Sequence, residues 1–246
     1  MQVVILCGGK GLRMNGLSKS IPKSLAQIQN KPIIWHIMNL YSKYSHTDFL
    51  LPLGYQGDQI KEYFLEYHWK SKNFKINLES NQLDILNACE NWNVTCIETG
   101  KNTMTGARLK KLEPYIQDDL FMITYGDGLA DININELVEF HIRTGKTMTL
   151  TGILPKNQYG VLKSSNNIIT EFAEKPTVSN RINGGFFVCN RDIFNYLDES
   201  EDCVLEELPF KRLVEDQELA VYHHDGKWLS IDTYKDLEIA NTLWNT

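Results

Sequence analysis

The apolar run Val3 to Leu6 passes through Cys7 into Gly8-Gly9-Lys10-Gly11, with Arg13 just beyond and Lys23 directly after Pro22. Unbroken apolar residues without alternation fit a strand buried on both faces of a parallel sheet. Glycines at the end of such a strand let the backbone approach a ligand closely, and their N–H groups can surround phosphate oxygens. Arg13 adds a planar fork of donors and Lys23 a point charge. The stretch therefore calls for an α/β sheet with a polyphosphate site at its edge. Two common phosphate motifs do not match. The dinucleotide fingerprint G-x-G-x-x-G has Met14 where its last glycine belongs, and no Gly-Lys-Ser/Thr follows at P-loop spacing. The bland alternative is a tight turn that needs glycine and binds nothing.

Downstream, the hydrophobic period switches repeatedly. Ile33, Ile37, Leu40, Tyr41 and Tyr44 recur at helical spacing after Pro32, which suits the first turn of a helix. Asp48 to Leu53 reads as a strand, and Ile60, Tyr63, Phe64 and Tyr67 as one face of a second helix. Phe74 to Leu78 and Val94 to Ile97 read as further strands, with an aperiodic excursion from Ser80 to Trp92 between them. Strand and helix in alternation predict a Rossmann-like, open, mixed but mostly parallel sheet with helices on both faces. Leu120 to Tyr125 and Lys146 to Leu154 extend that sheet. Short strands at 159–162, 168–172 and 182–189 read as a small β-rich insertion, followed by helices near 191–197 and 204–214 and a strand at 219–223.

Polar motifs stand where those strands end. Thr103-Met104-Thr105-Gly106-Ala107-Arg108 reads as a helix start, with Thr105 as cap and Arg108 beside a second anion site; a solvated Arg-Lys-Lys face is the alternative. Gly126-Asp127-Gly128 follows a buried strand, where ligands bind in open α/β sheets. A carboxylate beside a polyphosphate needs a cation between them, so Asp127 reads as a magnesium ligand, or else as a plain Asp-Gly turn. Asp232 follows a second short apolar stretch, and the two aspartates would form a magnesium site if they converge. Glu174-Lys175 and Asn183-Gly184 combine carboxylate, ammonium and amide, which suits a hydroxylated, phosphorylated ligand, or else each is a plain turn. His141 reads as structural, and His223-His224 lacks partners for zinc.

Composition excludes several classes. A net charge of −6 gives no sign of a nucleic-acid surface, and no apolar run is long enough to span a membrane. The amino-terminal apolar run stops at Cys7, so no leader is expected. Five cysteines without a C-x-x-C read as reduced thiols of a cytoplasmic protein.

Taken together, Leu6 to Arg13, Pro22-Lys23, Gly126-Asp127-Gly128, Glu174-Lys175-Pro176, Asn183-Gly184-Gly185 and Asp232-Thr233 resemble the sugar-1-phosphate nucleotidyltransferases. Lys31-Pro-Ile-Ile-Trp-His-Ile-Met, Gly54-Tyr-x-Gly, Ile60-Lys-Glu-Tyr-Phe, Asn93-Val-Thr, Thr99-Gly100, Met104-Thr-Gly-Ala-Arg108-Leu-Lys and Thr124-Tyr-Gly-Asp-Gly resemble the glucose-1-phosphate cytidylyltransferase branch. The resemblance covers nearly the whole chain. It implies one catalytic domain over 1–246: a nucleotide-binding core at 1–153, a β-rich sugar-binding part at 154–190, and a closing part at 191–246 with the second metal ligand. It implies that Leu6, Cys7, Gly8, Gly9, Lys10, Gly11, Leu12 and Arg13 hold the nucleotide, with Lys23 on its phosphates and Thr103, Thr105, Gly106, Arg108 and Gly126 alongside. Arg13 and Lys23 would be catalytic, Asp127 and Asp232 would hold Mg2+, and Glu174, Lys175, Asn183 and Gly184 would meet the sugar phosphate. This sequence departs from the family at Leu12, where threonine is usual, at Ala107, where glycine is usual, and at Leu78 to Asn81, where a more basic segment is usual. The implied reaction joins CTP and a sugar 1-phosphate, best matched by glucose 1-phosphate, to give a CDP-sugar and pyrophosphate. UTP or dTTP, another acceptor, or a sensor that binds without turnover are the alternatives. No nucleic acid or membrane partner is expected; a homo-oligomer is.

Overall fold

The computed structural model describes residues 1–9, 21–155, 161–173 and 180–244. Strand β1 (Gln2–Leu6) is buried along its whole length. A 3-10 turn at Lys23–Leu25 leads into a tiny ribbon, β2 (Gln27–Ile28) and β3 (Lys31–Pro32). Helix α1 (Ile33–Ser42) starts one residue after Pro32, which sits at its N-cap. Strand β4 (Asp48–Leu53), helices α2 (Gly57–Leu65) and α3 (Tyr67–Ser71), and a hairpin of β5 (Phe74–Asn77) and β6 (Gln82–Ile85) come next. Then follow β7 (Asn93–Glu98), α4 (Thr105–Lys111), β8 (Leu120–Tyr125), β9 (Gly128–Ala130), α5 (Ile134–Thr144) and β10 (Met148–Ile153). A second hairpin, β11 (Val161–Ser165) with β12 (Ile168–Ala173), precedes β13 (Ile182–Asn190), α6 (Leu208–Glu215), β14 (Leu219–His224), β15 (Trp228–Ser230) and α7 (Tyr234–Leu243).

Seven strands form the central sheet in the order β14-β10-β13-β8-β1-β4-β7. All pairs are parallel except the two made by β13, which runs antiparallel to both β10 and β8. Alternation along β1 divides the core. Val3 and Ile5 face α1, α5 and α7 through Ile37, Tyr41, Leu137 and Ala240. Val4 and Leu6 face α4 and α6 through Ala107, Leu109 and Leu213. A sheet covered on both faces requires strands apolar on both faces, which is why β1, β4 and β8 read as continuous hydrophobic runs.

Three expectations need correction. Phe74 to Leu78 holds a strand as expected, but it stands outside the central sheet: it pairs with Gln82–Ile85, a strand inside the stretch read as aperiodic, as an exposed hairpin. Its alternation belongs to one apolar face of a two-stranded ribbon, which period alone does not distinguish from a sheet edge. Ile182 to Cys189 is not part of the insertion but a buried strand of the central sheet, leaving β11–β12 as the hairpin that projects. Finally, Pro209 opens α6 rather than interrupting a longer helix, the position where its missing N–H costs nothing.

Candidate active site

A cleft of about 890 Å³ opens at the carboxyl ends of β1 and β8 and is lined by Leu6 to Gly9, Lys23, Thr103 to Thr105, Arg108, Tyr125 to Gly128, Asn183, Gly184, Glu206, Trp228, Ser230 and Asp232. Such a position, where the strand order reverses beside β1, is the usual binding crevice of an open α/β sheet. Lys10, Gly11, Leu12, Arg13, Glu174 and Lys175 lie outside the described residues.

Local pairing brings the two aspartates together. Asp127 ends the turn after β8, and β9 then pairs antiparallel with β15, matching Gly128 to Ser230. The Ile231 amide donates to the Asp127 carbonyl at 2.9 Å, continuing that ladder past the strand end. Behind Asp232, a capping box between Thr233 and Asp236 fixes the start of α7. The Lys23 ammonium donates to Asp127 Oδ2 at 2.6 Å and to Asp232 Oδ1 at 2.8 Å. Burial works to lower the Lys23 pKa, but the carboxylates of Asp127 and Asp232 outweigh it and raise the value above the ordinary lysine range. Ser230 donates its hydroxyl to Asp232 Oδ2 at 2.7 Å. Two carboxylates from separate elements thus already hold one cation between them. A pair of hard oxygen donors open to a cleft is the set magnesium takes when substrate phosphates and water complete its shell. The donor set fits that ion.

The glycine turn is held in a way the sequence did not indicate. Arg108 is neither a solvated face nor a free anion ligand: it is almost fully buried. One nitrogen of its guanidinium donates to Leu53 O at 2.9 Å and Thr99 Oγ1 at 2.5 Å, and the other to Gly8 O at 2.9 Å. A Cβ on Gly8 or Gly54 would stand 2.5 or 2.4 Å from that guanidinium, so both positions need hydrogen to admit it. A Cβ on Gly9 would meet nothing within 4 Å among the described residues. Gly126 lets β8 pass close to β1, its amide donating to Leu6 O at 3.0 Å.

The first turn of α4 also differs from the expectation. Met104, not Thr105, holds the N-cap position, and no side chain caps the helix. Thr105 Oγ1 donates to Glu206 Oε2 at 2.8 Å and accepts from the Leu205 amide at 3.0 Å. Gly106 packs against Cys203, where a Cβ would lie 2.7 Å from its sulfur, and it is not a lining residue. Thr103 is buried and donates to Thr99 O at 2.6 Å. On the opposite wall, Asn183 Nδ2 donates to the Tyr125 hydroxyl at 3.1 Å, and Trp228 Nε1 donates to Gly184 O at 2.8 Å. Sequence reading missed Tyr125, Glu206 and Trp228. Tyr125 is the last residue of a strand that enters the cleft, a signal that could have found it; Glu206 and Trp228 carry no local signal of the kind.

A nucleotidyl transferase family model matches residues 2–245. The probable glucose-1-phosphate cytidylyltransferase of Bacillus subtilis (strain 168) is 44% identical over 245 residues, covering 100% of this chain and 96% of the relative. The glucose-1-phosphate cytidylyltransferase of Salmonella typhi is 38% identical over 247 residues, covering 99% and 96%. Among solved structures, a UDP-glucose pyrophosphorylase complexed with UDP-glucose superposes with a TM-score of 0.70 at 16% identity, over 98% of this chain and 97% of that one, a likeness of fold. A mostly parallel sheet with its glycine turn and paired aspartates at one edge, matched along nearly its whole length, places this chain in the nucleotidyl transferase family.

Proposed function

We propose that this protein joins CTP to glucose 1-phosphate, releasing pyrophosphate and forming CDP-glucose. The observation that carries the reading is the Lys23 ammonium lying 2.6 and 2.8 Å from two aspartates at the mouth of the glycine turn. The cytidylyltransferase relatives at 44% and 38% identity supply the nucleotide and the acceptor. The acceptor's phosphate is already an anion at neutral pH, so no protein nucleophile is required. A phosphate oxygen attacks the α-phosphorus in line, and the pyrophosphate oxygen departs on the far side. The protein's work is positioning and charge neutralisation. Amides of the Gly8–Gly9 turn receive the triphosphate, and Arg13 and Lys23 offset charge on the departing pyrophosphate and the α-phosphoryl oxygens. Asp127 and Asp232 would hold magnesium, which when bound would supply Lewis-acid stabilisation of phosphoryl oxygens. Thr103, Thr105 and Gly126 line the cleft on the other side of the nucleotide, and Arg108 holds the glycine turn from behind. Asn183 and Gly184, with Glu174 and Lys175, take the sugar phosphate.

Free cysteines fit a reducing cytoplasm, and no described helix is long and apolar enough to cross a membrane. The exposed apolar residues of the β5–β6 hairpin, Phe74, Ile76 and Leu83, fit a homo-oligomer, which light scattering on the purified protein checks. The reading is tested by a panel of nucleoside triphosphates and sugar 1-phosphates assayed for pyrophosphate. CTP with glucose 1-phosphate is expected to be the fastest pair. Faster turnover of UTP or dTTP overturns the nucleotide assignment, faster turnover of another sugar phosphate overturns the acceptor, and binding without pyrophosphate overturns the enzyme.

A further inference from the structure

Glu206 stands in the wall of the cleft with its carboxylate held from two sides. Tyr125 donates its hydroxyl to Oε1, and Thr105 donates to Oε2 at 2.8 Å. Tyr125 in turn accepts from Asn183 Nδ2 at 3.1 Å, and Asn183 Oδ1 accepts from the Gly185 amide at 2.9 Å. Burial, and after it the Glu206 charge, push the Tyr125 pKa well above the ordinary range, so the phenol stays a donor. Glu206 is half-buried, lines the cleft, and makes no ion pair among the described residues. A carboxylate has roughly four lone-pair sites, and Tyr125 and Thr105 use two of them. The rest of its acceptor capacity belongs to a residue that lines the cleft.

A carboxylate with no ion pair among the described residues repels a triphosphate, so the group that meets Glu206 is a neutral hydrogen-bond donor. Topology says which half of the ligand that is. Tyr125 ends β8, Asn183 is the second residue of β13, and β13 lies on the opposite side of β8 from β1 and its glycine turn. The nucleotide phosphates belong to the β1 side, and the acceptor to the β13 side. We infer that Glu206, clamped by Tyr125 and Thr105, is the acceptor-specificity residue, accepting hydrogen bonds from hydroxyl groups of the sugar 1-phosphate. This inference rests on the proposed reaction, with the sugar phosphate as acceptor.

The test pairs enzyme variants with acceptors that each lack one ring hydroxyl. Glu206→Gln keeps an oxygen for Tyr125 and an amide that Thr105 can accept, while turning one acceptor into a donor. It is expected to raise KM for the sugar 1-phosphate by on the order of tenfold to a hundredfold, with KM for CTP and the melting temperature essentially unchanged. In wild type, one deoxy acceptor is expected to lose far more kcat/KM than the rest, and in Glu206→Ala that particular penalty disappears. Equal penalties in wild type and variant overturn the inference, as does a rise in KM confined to CTP, which would place the base against Glu206. A KM shift for both substrates together with a lowered melting temperature assigns Glu206 a structural role and also overturns it. If wild type turns over a different sugar phosphate best, the proposed acceptor has failed, and the same cycle with deoxy forms of that sugar still decides the role of Glu206.

Discussion

Replacing Gly8 by alanine adds one methyl group 2.5 Å from the carbon and a nitrogen of the Arg108 guanidinium. The atom that must yield is the end of a side chain, but one buried and bonded to Gly8 O, Leu53 O and Thr99 Oγ1. Expelling it leaves the Gly8 carbonyl with no partner among the described residues, while Leu53 O keeps its bonds from the Thr99 amide and hydroxyl. One orphaned acceptor together with the lost charge-assisted bonds costs about 3 kcal/mol. Arg108→Ala removes the same bonds and costs about the same. It also removes the obstacle, so the added methyl of Gly8→Ala then has room. The double variant should therefore be no less stable than Arg108→Ala alone, a coupling of about 2–3 kcal/mol that lies well outside additivity. No positive φ constrains Gly8, so backbone strain does not confound the cycle. Urea unfolding of the four proteins measures it. Costs that add to within about 0.5 kcal/mol would refute the argument that Gly8 is glycine to admit Arg108.

Lys23→Ala, Asp127→Asn and Asp232→Asn should each cut kcat by at least about a hundredfold, the scale for one lost charge-stabilising group, and near-normal turnover in any of them removes that residue from the centre. Chelation of divalent cations should abolish pyrophosphate release and added magnesium restore it. The raised Lys23 pKa makes its ion pairs a stabilising contribution that is fully present below about pH 10.5 and lost as pH rises through the higher folded-state value; the gap in melting temperature between wild type and Lys23→Met should be flat from neutral to mildly alkaline pH and close only beyond. Burial pushes the Cys7 thiol up to about 12, so native protein should resist alkylation at Cys7 at pH 8 while denatured protein reacts, as peptide mapping would read.

The sheet was legible in the sequence because its signal is local. Val3 to Leu6, Asp48 to Leu53 and Leu120 to Tyr125 each carry, within six residues, the apolar continuity that burial on two faces demands. The meeting of Asp127 and Asp232 was legible only as a condition, since the β9–β15 pairing that brings them together spans about a hundred residues and involves strands of three residues each. Two parts were not legible. Glycine in a ligand-binding turn and glycine against a buried guanidinium look alike in one dimension, and only packing separates Gly9 from Gly8. Likewise, Glu206 lies in the stretch 204–214 read as a helix, where nothing marks one carboxylate for a cleft, and its place there depends on Tyr125 and Thr105 from distant elements.

The most direct test is anomalous diffraction from crystals of the protein grown with CTP and Mn2+. The account predicts a manganese peak bonded to carboxylate oxygens of both Asp127 and Asp232, with the Lys23 ammonium moved from between them onto the triphosphate. Manganese held by the triphosphate alone, with Lys23 still bridging the two aspartates, would contradict it.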